Sequence, residues 1–536
     1  MTQTHTHIQA GDYDNGGAAS RQLKELLKQV GARPQDIRRA MIAAYEAEMN
    51  VVIHSRGGEL RATLDEGRLD VVVLDRGPGI ADVELAMKEG WSTAPSKARE
   101  LGFGAGMGLP NIRRNSDHFA IHSSPAGTQV RFTILLGPDS PKVIAPNSIQ
   151  VSAERCTGCL RCLRTCPTAA IRVQPGNGPR ILEHLCIDCT ACIAICQSHA
   201  LTMDGRGRRR AEPIHELLQG ASVVLPPAML VQFGSHASPA VVLEAMRRLG
   251  VARVVPASNA EAAVRREALR WASQRPKSSC PAISPLCPAV INLIQTRFAS
   301  LLPHVAPLAF PLDAALHSLA DEAYDGTKVL AVAACPAQKT LLQQSPHRCK
   351  VLLPYELREA LYAEVVRLAK DAPPLASPAA VPAGAPDAGE TSADVMQVTG
   401  IGHVVRVLEQ AENGDLQEPA LLDLYACDEC CFGSPLMFEE PFIARRRWQL
   451  QAPAMEQPAA ALPRGGLLEA RRGVRLDENM AKAIEKFAEI GRIKVLLPGL
   501  DCGLCGCPSC AALAEDVVFG RSPFTACVRL AKQQEQ

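Results

Sequence analysis

Twenty cysteines in 536 residues are the chain's main chemical resource. Eight of them crowd into two runs, Cys156-x2-Cys159-x2-Cys162-x3-Cys166-Pro167 and Cys186-x2-Cys189-x2-Cys192-x3-Cys196. Three thiolates two residues apart can wrap one face of a four-iron cubane, while the fourth crosses to a neighbouring cluster. Cys196 is therefore expected to complete the first set and Cys166 the second. Zinc suits this pattern poorly, because zinc sites favour two ligand pairs over a doubled run. A purely structural role for either cluster stays open; two cubanes side by side more often carry electrons.

Over its whole length this segment resembles a bacterial two-cluster ferredoxin, with Gln197 where the first half-motif has Pro167. The C-terminal run Asp501-Cys502-Gly-Leu-Cys505-Gly-Cys507-Pro-Ser-Cys510, with Cys527 beyond an amphipathic stretch, resembles a further small four-iron domain. That resemblance implies Cys502, Cys505, Cys510 and Cys527 as its ligands. Cys507 is extra, either a spare thiol or a ligand in place of one of these.

The remaining cysteines fall into three loops: Leu286-Cys287-Pro288, Ala334-Cys335-Pro-Ala-Gln338-Lys339, and Ala426-Cys427-Asp-Glu-Cys430-Cys431-Phe-Gly433. Together they resemble the signature loops of the [FeFe]-hydrogenase large subunit. The resemblance implies Cys287, Cys335, Cys427 and Cys431 as ligands of a cubane, with Cys431 bridging to a diiron subsite where one is present. Four soft thiolates suit iron–sulfur chemistry and exclude a hard cation. Leu286 stands where catalytic members carry a proton-relaying cysteine, and Gln338 where they carry a lysine. Efficient hydrogen turnover is therefore not expected. Cys280 and Cys349 read as ordinary buried thiols.

A second constellation has no cysteine. Ile37–His54 has helical periodicity, and Glu46, Asn50 and His54 recur every four residues on one face. A carboxylate there can deprotonate an attacking group, and the amide oxygen four residues on can ligate Mg²⁺. The strand-like Leu69–Leu74 runs into Asp75-Arg-Gly77-Pro-Gly79, where glycines allow close approach to a base and the Asp75 carboxylate can accept from an adenine amino group. Leu101-Gly102-Phe-Gly104-Ala-Gly106-Met-Gly108-Leu109 is a glycine lid leading into a helix, a phosphate cradle. Gly127-Thr128 opens a further strand. These four pieces resemble the GHKL ATPase superfamily of Hsp90, gyrase and histidine kinases, and within it the small serine kinases of anti-sigma-factor type. The resemblance implies an α/β sandwich that binds Mg·ATP, with Glu46 as general base and Asn50 as metal ligand. His54 is expected to be packed rather than catalytic.

The elements that must position these groups follow from composition. A 47% hydrophobic content is ample for packed cores, and Lys+Arg 57 against Asp+Glu 56 leaves a charge of +1. Neither nucleic acid nor a membrane surface is attracted by such a balance. Three Trp and six Tyr supply no stacking platform for single strands. No apolar run approaches the ~20 residues of a membrane helix, and the first residues lack the pattern of a signal peptide. A soluble, cytoplasmic protein is expected, in which a disulfide framework is disfavoured. Composition shifts predict a multidomain α/β and α+β chain: a GHKL sandwich over 1–140, a two-cluster ferredoxin-like domain over 147–204, a hydrogenase-like α/β domain over 212–450, and a small C-terminal iron–sulfur domain over 475–536. Connectors are expected at Gly137–Ser148, at the basic run Arg206–Arg210 and in the Ala/Pro-rich insert Ala372–Ala393.

The combination predicts a redox- or hydrogen-responsive regulator, in which electron transfer through four-iron clusters alters an ATP-dependent kinase or ATPase domain. A redox partner protein and a phosphoacceptor regulatory protein are the expected partners. An electron-transfer enzyme of hydrogen metabolism and an ATP-gated electron donor are the alternatives.

Overall fold

A computed structural model describes residues 2–65, 67–96, 98, 103–136, 149–174, 178–203, 213–235, 237–275, 280–321, 328–345, 347, 349–371, 394–416, 418–451, 462–465, 468–471, 473, 475–477 and 479–530. Gly102, the connector 137–148, the basic run 206–210 and the insert 372–393 lie outside the described residues. The chain divides into two units, residues 1–142 with 474–501 and 509–536, and residues 143–473 with 502–508. The architecture is mixed α/β, with a five-stranded sheet in the first unit and two larger and two small sheets in the second.

In the first unit, β1 (Thr2–Ile8), β2 (Gly58–Asp65), β3 (Arg68–Asp75), β4 (His118–Ser124) and β5 (Gly127–Leu135) form one antiparallel sheet, ordered β1-β2-β3-β5-β4. Leu69, Val71 and Val73 of β3 are buried and their neighbours are not, so one face of the sheet is covered and the other is open. The covering helices are α1 (Ala18–Gln29) and α2 (Pro34–His54). Pro34 and Asp36 sit in the first turn of α2, where a missing N–H costs nothing and a negative charge suits the helix dipole. Ala40, Ala43, Ala44 and Ala47 form its buried stripe, and their small side chains let the helix lie close to its neighbours. The buried Glu48 accepts from the free N–H groups of Ala19 (3.0 Å) and Ser20 (3.1 Å), which caps α1 and locks it to α2.

The segment 475–536 is shared between the two units. Helix Met480–Leu496 places Met480, Ala483 and Ile484 in the same core as α1, α2 and the sheet. Leu476 N–H donates to the Gln29 carbonyl at 2.8 Å, which ties this return of the chain to the end of α1. Residues 502–508 instead join the second unit, where the Val173 N–H donates to the Gly506 carbonyl at 2.9 Å.

The second unit begins with two short ladders, Ile149–Val151 with Leu201–Met203 and Ile171–Gln174 with Gly178–Ile181. Its halves repeat at the backbone level. Leu160 (φ 59°) and Thr190 (φ 65°) precede helices Arg161–Thr165 and Ala191–Ile195, and Ala169 (φ 53°) matches His199 (φ 51°). Beyond lie two parallel sheets. One orders Arg253–Pro256, Ser222–Leu225, Val329–Val332 and Lys350–Leu352; the other orders Ala282–Ile283, Leu421–Tyr425 and Val395–Thr399. Their central strands Ser222–Leu225, Val329–Val332 and Leu421–Tyr425 are buried throughout, as the near-continuous apolar sequence requires.

Candidate functional site

Glu46 and Asn50 sit one turn apart on α2, facing the start of helix Gly108–Arg114. A side chain at Gly108 would meet Asn50 Oδ1 at 3.0 Å and Glu46 Oε2 at 3.4 Å, so glycine keeps both polar groups accessible. Asn111 Nδ2 donates to Glu46 Oε1 at 2.7 Å and leaves the second carboxylate oxygen available. This partner was not foreseen from sequence, although it lies three residues past the last lid glycine. The Asn50 amide nitrogen is buried and has no hydrogen-bond partner among the described residues. Burying such a group alone costs free energy, which fits a site completed by a bound molecule.

Asp75 ends β3 with Oδ1 accepting the Thr128 N–H at 3.0 Å. Thr128 Oγ1 in turn lies 2.9 Å from Ser123 Oγ, which accepts the Ile80 N–H at 2.7 Å. Two glycines admit no alternative. At Gly79 (φ 73°) an added Cβ would lie 2.0 Å from the Ser124 carbonyl oxygen, and at Gly127 one would lie 2.1 Å from the Asp75 carbonyl oxygen. Gly77 packs beside Asp75 Oδ1 and the Ser55 backbone. Burial raises the Asp75 carboxyl above its ordinary pKa, against the lowering effect of the Thr128 bonds. Burial also lowers His54, while the Asp75 charge pulls it the other way. The lid's Phe103 stacks on Tyr13 at 6.0 Å between ring centroids. Gly104 (φ 89°) and Gly106 (φ 73°) take left-handed backbone, and the Gly106 carbonyl accepts the Gly90 N–H at 3.1 Å.

In the second unit the thiols gather in sets. The sulfurs that act electrostatically on Cys162 are those of Cys196, Cys156 and Cys159; burial and this company push its pKa up to about 11. Around Cys186 and Cys189 the interacting sulfurs are Cys192 and Cys166. Burial likewise raises Cys192 to about 12, with Cys166 the larger sulfur influence and Cys162 the smaller. At Cys196 burial also acts upward, but N–H groups of Leu201, Ala200 and Ser198 and the Ser198 hydroxyl outweigh it and lower the thiol.

The three further loops follow the C-terminal ends of parallel strands, where α/β sheets place their sites. Cys287 and Cys335 each occupy the N-cap of a helix that opens on proline, Pro288–Arg297 and Pro336–Gln344. Cys427 and Cys431 follow strand Leu421–Tyr425. Cys287, Cys335, Cys427, Cys431 and the buried Cys430 line one cavity together with Leu286 and Gln338. Burial holds Cys427 up to about 12, with Cys287 adding to the rise; Cys335 is raised as well, by burial first and then by Cys427 and Cys287. The Gln338 side-chain oxygen accepts the Ala334 N–H at 2.7 Å and is thus committed to its own loop. At the cavity wall Tyr425 donates to Glu261 (2.8 Å), Arg265 donates to Asp423 (2.6 Å) and to the Tyr425 hydroxyl oxygen (3.1 Å), and Ser284 donates to Asp423 (2.6 Å). Nothing in the cysteine spacing announced this network.

Of the C-terminal cysteines, Cys502 and Cys505 lie in the second unit, where Arg164 donates to the Cys502 carbonyl at 3.3 Å. Cys510 and Cys527 lie buried in the first, where Asp501 Oδ1 accepts the Cys510 N–H at 2.6 Å at the start of helix Cys510–Val518. Cys507 is buried. Cys280 and Cys349 are half-buried.

These sites define a chain that combines a nucleotide-binding sandwich with several iron–sulfur segments. Residues 11–134 match the histidine kinase-like ATPase domain, residues 155–201 the 4Fe-4S dicluster domain, residues 220–351 the C-terminal domain of the iron only hydrogenase large subunit, and residues 497–529 an Fe-S cluster family. Serine/threonine-protein kinase RsbT of Bacillus subtilis is 30% identical over 119 residues, 21% of this chain and 84% of that protein. An anti-sigma F factor from Thermoanaerobacter sp. is 31% identical over 103 residues, 18% of this chain and 68% of that protein. The chain belongs, through its first domain, to the histidine kinase-like ATPase family that includes these two proteins. A solved variant of the [FeFe]-hydrogenase HydA1 from Chlamydomonas reinhardtii is 15% identical with a TM-score of 0.33, covering 48% of this chain and 88% of that one. Among the described residues no helix is long and apolar enough to cross a membrane.

Proposed function

We propose that this protein is a redox-responsive regulator in which the state of iron–sulfur clusters sets the activity of an ATP-dependent serine kinase or ATPase domain. The observation that carries the reading is the fusion itself: a domain 30% identical to a serine/threonine-protein kinase shares one chain with three iron–sulfur segments. In this reading Asp75 and Thr128 hold the adenine, and Gly77 and Gly79 let it approach. The Gly102–Gly108 lid closes over the phosphates, and Asn50 would hold Mg²⁺. Glu46, fixed by Asn111, accepts the proton of the attacking hydroxyl. A regulatory protein with a serine or threonine acceptor is the substrate, as the relatives' names suggest.

The cluster sets are Cys156, Cys159, Cys162 and Cys196; Cys166, Cys186, Cys189 and Cys192; Cys287, Cys335, Cys427 and Cys431; and Cys502, Cys505, Cys510 and Cys527. Bound clusters would supply one-electron chemistry; the chain's own contribution is burial, sulfur hydrogen bonding and helix termini aimed at the thiolates. Hydrogen turnover is disfavoured, because buried Leu286 offers no exchangeable proton and the Gln338 oxygen is taken by its own loop. A redox partner delivers or removes the electrons. Comparing phosphate release and phosphotransfer with oxidised and reduced clusters, under strict exclusion of oxygen, tests the proposal.

A further inference from the structure

β1 is the outer strand of the first unit's sheet, and its alternate residues point to opposite faces. Thr2 and Ile8 are buried on one face, while Gln3, His5 and His7 are exposed on the other. The strand pairing sets His7 opposite Glu59 of β2 and His5 opposite Arg61. Glu59 Oε2 lies 2.5 Å from His5 Nε2, and Arg61 pairs with the other carboxylate oxygen. The two imidazole rings stand 4.7 Å apart. One ligand atom from each of His5, His7 and Glu59 lies within 4.8 Å of both others.

We propose that His5, His7 and Glu59 form a surface binding site for a borderline divalent cation of the zinc class, separate from the nucleotide and cysteine sites. Two imidazole nitrogens and one carboxylate oxygen suit such an ion, while Mg²⁺ and Ca²⁺ demand oxygen ligands throughout. Bonds of ~2.0–2.2 Å to a tetrahedral ion place ligands about 3.4 Å apart. The three groups reach that spacing by side-chain rotation alone, since strand register already holds their Cβ atoms on one face. The ion replaces the proton shared by His5 and Glu59. Arg61 stays on the opposite oxygen and keeps the carboxylate ionised and oriented. The remaining coordination positions face solvent, so binding is reversible and water completes the shell.

The test uses the full chain purified without oxygen and loaded with iron, so that cysteine thiols are occupied. It is equilibrated with micromolar Zn²⁺ and its metals are counted after removal of free ion. One zinc per chain is expected in the unaltered protein and none at the same level in His5→Ala/His7→Ala. Glu59→Gln is expected to weaken binding at least about tenfold. Zinc X-ray absorption on the unaltered protein gives a reading independent of any variant, with two imidazole nitrogens and no sulfur expected. A sulfur-containing shell, zinc retained by the double variant, or no zinc on the unaltered protein would each overturn the proposal.

Discussion

Thr190 Oγ1 lies 3.9 Å from Cys427 Sγ, joining the second ferredoxin-like half-motif to the third loop of the hydrogenase-like part. Thr190 takes left-handed backbone (φ 65°) directly after Cys189, and Cys189 packs in the same core as Cys287 and Cys335. Thr340 Oγ1 donates to Asp188 Oδ2 at 3.1 Å beside it, which fixes the loop from the other side. The Thr190 hydroxyl thus stands between Cys189, its neighbour in the chain, and Cys427, two thiols expected to serve different clusters.

That link has a measurable consequence. Hydrogen bonds to cluster sulfurs raise reduction potential, so Thr190→Val is expected to lower the midpoint of the cluster held by Cys427. A bond worth ~0.5–1.5 kcal/mol corresponds to a shift on the order of 20–60 mV for one electron. Redox titration followed by electron paramagnetic resonance reads it; an unmoved potential would remove the hydroxyl from the account.

Nucleotide binding is expected to depend on the Asp75 carboxylate. Asp75→Asn is expected to lose ATP affinity by about 1.5–3 kcal/mol, the scale of a charge-assisted hydrogen bond. Glu46→Ala is expected to keep binding and lose most turnover, since proton transfer contributes ~10²–10⁴-fold. Calorimetry and phosphate release on the same preparations separate the two roles, and equal ATP affinity in Asp75→Asn would contradict the adenine assignment.

The first domain makes these residues instructive about what sequence alone conveys. Glu46, Asn50, Asp75 and the glycines were legible because each piece is a local pattern: a helical period, a strand end, or a glycine run. Glu48 was not, because its role depends on the N-terminus of α1, 28–29 residues earlier in the chain. The return of Met480 and Ile484 to the first core escaped notice for the same reason. An amphipathic helix declares that it has an apolar face, not which core receives it. In the middle region the cysteine loops were recognisable, but the Arg265–Asp423–Ser284 network was not, since its members are scattered and singly unremarkable in sequence.

That network predicts a stability effect. Asp423 is almost wholly buried (1% exposed) and is held by Arg265 and Ser284. Asp423→Ala takes the close anion from the Arg265 guanidinium, leaving Glu261 at 3.8 Å, and the acceptor from the Ser284 hydroxyl, and is expected to destabilise the second unit by about 3 kcal/mol. Denaturant unfolding of iron-loaded protein measures this. A change under about 0.5 kcal/mol, the range of ordinary surface substitutions, would mean that the pair is bystander chemistry.

The pH dependence follows from two opposed shifts. Asp75 has its folded pKa raised by burial, so its carboxylate is lost at a higher pH than the ordinary ~3.9. ATP affinity is expected to fall as pH drops through that raised value, and Asp75→Asn to be flat over the same window. His54 has its folded pKa lowered by burial. Its contribution to stability is therefore present above the unfolded value of ~6.5 and is lost as pH falls toward the folded one. His54→Gln is expected to flatten the decline in melting temperature below about pH 6.5.

Four cubanes, and so about sixteen irons per chain, are expected in protein made without oxygen. Changing Cys335 and Cys427 to serine is expected to remove about four, leaving the ferredoxin-type signals in place. Iron analysis near ~8 in the unaltered chain would limit the clusters to the ferredoxin-like segment.

Control of the ATP-dependent domain by cluster redox state is decided by one paired measurement. ATP turnover is recorded on a single anaerobic preparation, first with the clusters oxidised and then after reduction, with hydrogen evolution from a strong reductant followed in parallel. The account predicts a several-fold change in ATP turnover between the two states and negligible hydrogen, because a switch needs differential energetics between its states. A redox-blind ATPase together with rapid hydrogen evolution would contradict it.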